Sequence, residues 1–104
     1  MSEHANAMVM TVLEAEVPDD RGEALESAYR ANTASGLPPG LVQSFLVRGA
    51  GAPASWCIVS VWESAGALAR MRASGGTPTG ILMFRAAGAE PTLTVLDVLA
   101  SPHR

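Results

Sequence analysis

Alternating apolar and polar positions predict four β-strands in this chain. The segments 8–17, 41–48, 55–63 and 92–100 are rich in β-branched and aliphatic residues and are separated by turn-forming segments. In the third of these segments both alternating sets are apolar, and a strand that is apolar on both sides has to be covered on both sides. The two sets are Trp56, Ile58 and Trp62 on one side and Cys57, Val59 and Val61 on the other.

Apolar residues at three- and four-residue spacing predict helices between the strands. The first helix runs from Arg21 to Thr33, and we expect Asp20 and Glu23 to form a capping box at its start. A second helix covers 65–73, with a further helical turn before the last strand. The resulting β-α-β-β-α-β order predicts an α+β, ferredoxin-like fold, in which a four-stranded antiparallel sheet carries both helices on one face.

The other face of that sheet has no helix to cover it. It would expose one of the two apolar sets of the third strand, and soluble monomers do not leave contiguous apolar patches of more than a few hundred Å² in water. We therefore predict a homodimer in which two sheets pack together as a dimeric α/β barrel and bury on the order of 2,000 Å². The pattern leaves open which set faces the partner.

Composition narrows the class of protein. A chain of 104 residues predicts a single domain over 1–104, structured over about 8–99 with loose ends. The seven basic residues are all arginine, and the chain has ten acidic ones. The formal net charge of −3 argues against nucleic acid or an anionic membrane as a partner.

The chain has no apolar run of membrane-spanning length, and its first seven residues lack the basic region of a signal peptide. One cysteine and two histidines exclude an internal disulfide and give no zinc-ligand spacing, so we expect a cytoplasmic protein with no metal.

Two short motifs carry a resemblance to a known family. Pro39-Gly40-Leu41 opens the second strand, and Val61-Trp62-Glu63-Ser64 closes the third strand before a helix. With the element order from Met8 to Leu99, they resemble the antibiotic biosynthesis monooxygenase family of the dimeric α/β-barrel superfamily. The resemblance implies a cleft between sheet and helices and a cofactor-independent monooxygenase that oxidises a small aromatic or polyketide-like substrate with O₂. It implies a small apolar or aromatic ligand and neither metal nor flavin.

The same resemblance implies site residues. Trp62 matches the family's tryptophan, and Arg85 falls on the short helix where the family's arginine would lie. At the positions of the family's two tyrosines and its asparagine, this chain has Leu46, Leu68 and Ile58 instead. We therefore expect Arg85 to stabilise an anion in catalysis, and the other four residues to line the substrate site.

The residues themselves suggest further candidates. Asp97 lies between apolar neighbours on the last strand, where it would suit the role of a catalytic base. Tyr29 lies on the apolar side of the first helix. It is a candidate substrate contact, and the alternative is that it packs in the core. We expect Arg70 and Arg72 on the solvated side of the second helix, with one of them at the cleft rim as the alternative.

The sequence is also compatible with other functions. The apolar residues at three of the family's polar positions favour a non-catalytic dimeric barrel that binds a ligand or acts as a scaffold. A weaker alternative is a polyketide cyclase or isomerase, for which an Asp or Glu base would suffice. Haem degradation, the activity of another family branch, is disfavoured, because Val12 and Met71 replace its asparagine and tryptophan and 75–87 contains no histidine.

Overall fold

The fold is an antiparallel sheet covered by helices on one face. The computed structural model describes residues 7–76 and 78–102, so His4 and His103 and most of the ends predicted to be loose lie outside the described residues. A single 3₁₀ turn, Asp19–Arg21, precedes the first helix. The elements are β1 (Val9–Glu16), α1 (Gly22–Thr33), β2 (Leu41–Arg48), β3 (Ser55–Trp62), α2 (Ala65–Ala73), α3 (Thr79–Ala86) and β4 (Thr92–Asp97).

The four strands form one sheet in the order β2-β3-β1-β4, with every neighbouring pair antiparallel. Because β1 and β3 are the central strands, their side chains form the middle of both sheet faces. Thr11 lies opposite Ser60, and Leu13 lies opposite Ile58. This topology confirms the predicted α+β, ferredoxin-like fold.

The two apolar sets of β3 lie on opposite faces of the sheet. Trp56, Ile58 and Trp62 are buried on the helix side. Phe84 and Leu25 pack in one buried cluster with Trp56 and Ile58, and Trp62 packs in a second cluster with Val9 and Leu68. Cys57, Val59 and Val61 are only half-buried, on the face that carries no helix. On that same face, the β2 side chains paired with them, Phe45 and Val47, are each 43% exposed. The sequence pattern did not decide which set of β3 is covered by helices. In the structure the uncovered set is the one that contains Val59.

One expected helix cap and one predicted strand end are wrong, and the bounds of β1, α1 and β3 differ from the prediction by one residue. The expected capping box is absent, because Asp20 lies inside the 3₁₀ turn and α1 begins without a side-chain cap hydrogen bond. The turn is closed by the backbone instead, with the Arg21 N–H donating to the Pro18 carbonyl at 2.9 Å. β4 ends at Asp97 rather than at Ala100, because Asp97 pairs with Val9, the first residue of β1.

A glycine fixes the approach of β2 to the helix layer. Gly40 has a φ of +86°, a conformation that favours glycine. A Cβ atom at this position would lie 2.7 Å from the Cβ of Ala67 on α2. The motif Pro39-Gly40-Leu41 therefore has a structural reason, since it turns the chain while β2 begins close against α2.

In the described segments, no helix is long and apolar enough to cross a bilayer.

Candidate functional site

A cavity of about 180 Å³ lies between the sheet and the three helices. Its floor is formed by buried side chains of the two central strands, and its walls by α1, α2, α3 and the segment that joins α1 to β2. Exposed residues, among them Asn32, Leu37 and Arg72, form a rim where the cavity opens to solvent. The floor consists of Thr11, Leu13, Ile58, Ser60 and Trp62.

Strand alternation places the floor residues. Ile58, Ser60 and Trp62 are two residues apart on β3, so all three point to the helix side. Thr11 and Leu13 face the same way on β1, because they pair directly with Ser60 and Ile58. The floor is therefore apolar at both ends and hydroxylic in the middle.

Trp62 is held in place by a buried hydrogen bond. Its indole Nε1–H donates to Oγ1 of Thr11 at 3.2 Å, and the two residues are 5% and 8% exposed. Since an indole has one donor, the ring is left to act as an aromatic wall. The Thr11 hydroxyl keeps its own proton, which is free to be donated elsewhere.

A second polar pair lies beside the floor. The hydroxyl groups of Tyr29 on α1 and Ser44 on β2 are 2.6 Å apart, and both residues line the cavity. One of the two hydroxyl protons is used between them, and the other remains available to a ligand oxygen. This pair adds a directional polar contact to a mostly apolar cavity.

The cavity brings together four of the seven predicted site residues. Trp62, Ile58, Leu68 and Tyr29 all line it. Leu46 does not, and it packs half-buried against the core cluster that contains Trp56. Asp97 and Arg85 also lie outside the lining, so the predicted catalytic roles of these two residues stay predictions.

Arg85 is engaged by a neighbouring carboxylate. Its Nε and Nη2 atoms donate to the two carboxylate oxygens of Glu90, each at 3.0 Å. This bidentate hydrogen bonding lowers the pKa of Glu90 and raises the pKa of Arg85. Asp97 is exposed at the end of the edge strand β4. The guanidinium of Arg85, which was predicted to stabilise an anion, is thus paired with Glu90 on the protein surface.

Sequence reasoning missed Ser44 and undervalued Arg72. Ser44 precedes Leu46 by two residues on β2, so alternation would have placed it on the helix side. Arg72 follows Leu68 by four residues on α2, a spacing that puts both on one side of a helix. In residues 7–76 and 78–102, no group of three or more His, Cys, Asp or Glu side chains is arranged to hold a metal ion.

Comparisons with known proteins agree with this architecture. The chain is similar to the solved structure of a single-site variant of SnoaB, a cofactor-independent oxygenase from Streptomyces nogalater (TM-score 0.67, 22% identity, 91% of this chain and 96% of that one). It also matches a haem-degrading protein from Mycobacterium tuberculosis (TM-score 0.66, 27% identity, 95% and 100%). A third match is a conserved protein from Bacteroides thetaiotaomicron (TM-score 0.69, 20% identity, 90% and 100%). No curated protein matches the chain.

The family model agrees with the two motifs and with the element order. The model for antibiotic biosynthesis monooxygenases matches residues 8–77, which is more than half of the chain and includes both Gly40 and Trp62. The sheet topology and the cavity between sheet and helices are those that the resemblance implied. The chain therefore belongs to the antibiotic biosynthesis monooxygenase family.

Proposed function

We propose that this protein is a cofactor-independent monooxygenase that oxidises a small aromatic compound with O₂ inside the cavity. The observation that carries the proposal is an apolar cavity with the Trp62 ring on its floor and the Tyr29–Ser44 hydroxyl pair beside it. Membership of the family and the likeness to a cofactor-independent oxygenase support the same activity.

The size of the cavity favours a small substrate. An apolar cavity of about 150 Å³ is enough to hold benzene. The cavity of this protein measures about 180 Å³ and opens at its rim, so it suits a compound of one or two fused rings. A larger polyketide would extend past Leu37 into solvent.

The reaction needs an electron-rich ring anion. The phenol proton leaves to water at the rim, because no Asp, Glu or His is among the described lining residues. The phenolate accepts a hydrogen bond from the Tyr29–Ser44 pair and transfers an electron to O₂, and the oxygen then bonds to the ring carbon para to the hydroxyl. One oxygen atom stays as the new carbonyl, and the other leaves as water with the hydrogen of that carbon and the phenol proton. The ring loses four electrons and O₂ gains four.

Oxygen uptake tests the proposal directly. Protein treated with a chelator is mixed with 1,5-dihydroxynaphthalene, while an oxygen electrode and the quinone absorbance are followed. We expect uptake above the protein-free rate, increasing with pH as the naphthol ionises, and a reduced kcat in Tyr29→Phe. Leu99→Ala is the matched control, since Leu99 is 80% exposed and lies outside the cavity. Uptake at the protein-free rate would contradict the proposal for this class of substrate.

A ligand-binding protein without catalysis is the second candidate. Ile58 and Leu68 put apolar side chains into the cavity where the family resemblance implies polar ones. Saturable binding of 1,5-dihydroxynaphthalene without oxygen uptake would favour this function. The cyclase or isomerase alternative has less support, because it needs a carboxylate base and the described lining contains none.

Haem does not fit the residues that line this cavity. A tetrapyrrole requires much more space than one or two fused rings, and no histidine is among the described lining residues to bind its iron. The likeness to a haem-degrading protein therefore supports the shared fold more than a shared substrate. We expect a titration with haemin to leave the haem absorbance spectrum as it is in buffer.

We further propose that two copies pack through the sheet face that contains Cys57, Val59 and Val61, in keeping with the predicted cytoplasmic homodimer. The half-buried apolar side chains at its centre support this assembly, because water would otherwise cover them. Sedimentation is expected to give a dimer for the wild type and a monomer for Val59→Glu. The control Leu99→Glu puts the same charge on an exposed residue and is expected to stay dimeric. A monomeric wild type at micromolar concentration would contradict the assembly.

A further inference from the structure

The cavity contains one charged side chain among its described lining residues, the guanidinium of Arg72. Arg72 lies in the last turn of α2 and is exposed at the rim. The other lining residues are apolar or carry hydroxyl or amide groups. An arginine keeps its charge at any working pH, so the cavity mouth carries a fixed positive charge.

Arg72 differs from the other five arginines that the structure describes. Each of those five has a partner within the chain, whereas no described residue accepts a hydrogen bond or ion pair from Arg72. The partners are the Ala86 carbonyl for Arg21 (3.4 Å), Glu26 for Arg30 (2.8 Å), the Trp56 ring for Arg48 (5.5 Å), Glu63 for Arg70 (3.8 Å) and Glu90 for Arg85 (3.0 Å).

This contrast is informative because the chain is rich in acidic residues. Ten acidic side chains face seven basic ones, yet the guanidinium at the cavity rim is not paired with a described carboxylate. Arg70, two residues away on the same helix, is paired with Glu63. A cation left free beside an apolar cavity can form a bidentate contact with a planar oxyanion of the ligand.

We infer that Arg72 makes the cavity selective for aromatic compounds that carry an anionic carboxylate in addition to the phenol that is oxidised. The inference rests on the proposed function and adds the charge of the substrate. The ring lies inside against Trp62 and Ile58, and the anionic group lies at the rim against the guanidinium. Arg72 is thus a specificity-determining residue on α2, separate from the arginine on α3 that the family resemblance implied.

Two ring probes of matched shape test the inference. Binding of 2-naphthoate, an anion, and of 2-naphthalenemethanol, its neutral counterpart, is measured by calorimetry. We expect wild-type protein to bind naphthoate about tenfold more tightly, as a charge-assisted contact provides. Arg72→Gln is expected to bring the two affinities close together. Arg70→Gln, which removes a charge outside the cavity on the same exposed helix, is expected to preserve the difference.

The outcomes separate this inference from the proposed function. Equal affinities for the two probes in the wild type, or an equal loss of selectivity in Arg70→Gln, would overturn the role of Arg72. If selectivity depends on Arg72 while no phenol stimulates oxygen uptake, the monooxygenase proposal fails and the anion site stands. Because Arg72 is exposed, its variant is expected to keep the wild-type circular dichroism spectrum.

Discussion

The phenolic oxygen of Tyr29 and the Oγ of Ser44 lie 2.6 Å apart, in a hydrogen bond that joins α1 to β2 beside the cavity. Since each hydroxyl depends on the other, we expect Tyr29→Phe and Ser44→Ala each to lower the free energy of unfolding by about 1 kcal/mol. The double variant should lose little more than either single one, as urea denaturation would measure. Fully additive losses would mean that the two hydroxyls are not coupled.

The two tryptophans lie in two separate clusters of buried side chains, which allows a comparison between them. Trp62 lines the cavity and Trp56 does not, although both are buried. We expect 1,5-dihydroxynaphthalene to quench the fluorescence of Trp56→Phe and to leave that of Trp62→Phe almost unchanged. Trp62→Phe should also bind the naphthol more weakly, because the smaller phenyl ring gives the ligand less contact area than the indole. Quenching that survives in Trp62→Phe would place the ligand elsewhere.

Gly40 and Gly75 have nearly the same backbone conformation but differ in how closely other atoms pack against them. Their φ angles are +86° and +87°, but only at Gly40 would a Cβ meet another atom, the Cβ of Ala67 at 2.7 Å. We expect Gly75→Ala to lower the free energy of unfolding by about 1 kcal/mol through conformational strain. Gly40→Ala should cost clearly more in the same thermal or urea measurement. Equal costs would show that α2 moves away without penalty.

The pair of Arg85 and Glu90 predicts a small dependence of stability on pH. Its bidentate hydrogen bonding lowers the pKa of Glu90 from its ordinary value of 4.5. The folded state therefore gains stability that is present above pH 4.5 and is lost as the pH falls through the lowered value.

Stability measured against pH checks this expectation. Wild type and Glu90→Gln should differ at pH 7 and converge in acid, and high salt should reduce the difference because both side chains are exposed. Glu23→Gln is the control, since no arginine within the described residues pairs with Glu23. A difference that grows in acid would have the wrong sign for this pair.

Much of the fold followed from turn-forming residues in the sequence. The bounds of β2 and α2 were predicted to the residue, because Gly40 and Gly49 flank the strand and Ser64 caps the helix through its hydrogen bond from the Ala67 N–H. The start of α1 was not predicted correctly. A side-chain cap at Asp20 and a backbone turn from Pro18 both satisfy free N–H groups, and the sequence does not choose between them.

Strand alternation predicted which residues of β3 share a sheet face, and the family resemblance, not alternation, predicted that the face with Trp62 and Ile58 lines the cavity. In the structure Trp62 and Ile58 both face the cavity, as their two-by-two spacing on β3 requires once one of them does. The environment of Arg85 depends instead on how α3 is rotated about its axis, which the full burial of Phe84 determines, and on a carboxylate beyond the helix. Such relationships arise from tertiary packing, so local patterns do not encode them.

The pairing of Thr11 with Ser60 on the central strands also limits how the length of this chain can change. If β3 paired with β1 one residue out of register, Trp56, Ile58 and Trp62 would point to the outer face, and Cys57, Val59 and Val61 would lie beneath the helices. A residue added or deleted inside β3 would impose this reversal on the positions beyond it unless a bulge absorbed the change. The cavity and the open face would be lost together. The link at 49–54, which joins β2 to β3 outside the ladder, can accept such a change. Length variation among homologous chains is therefore expected in that link and not in the two central strands.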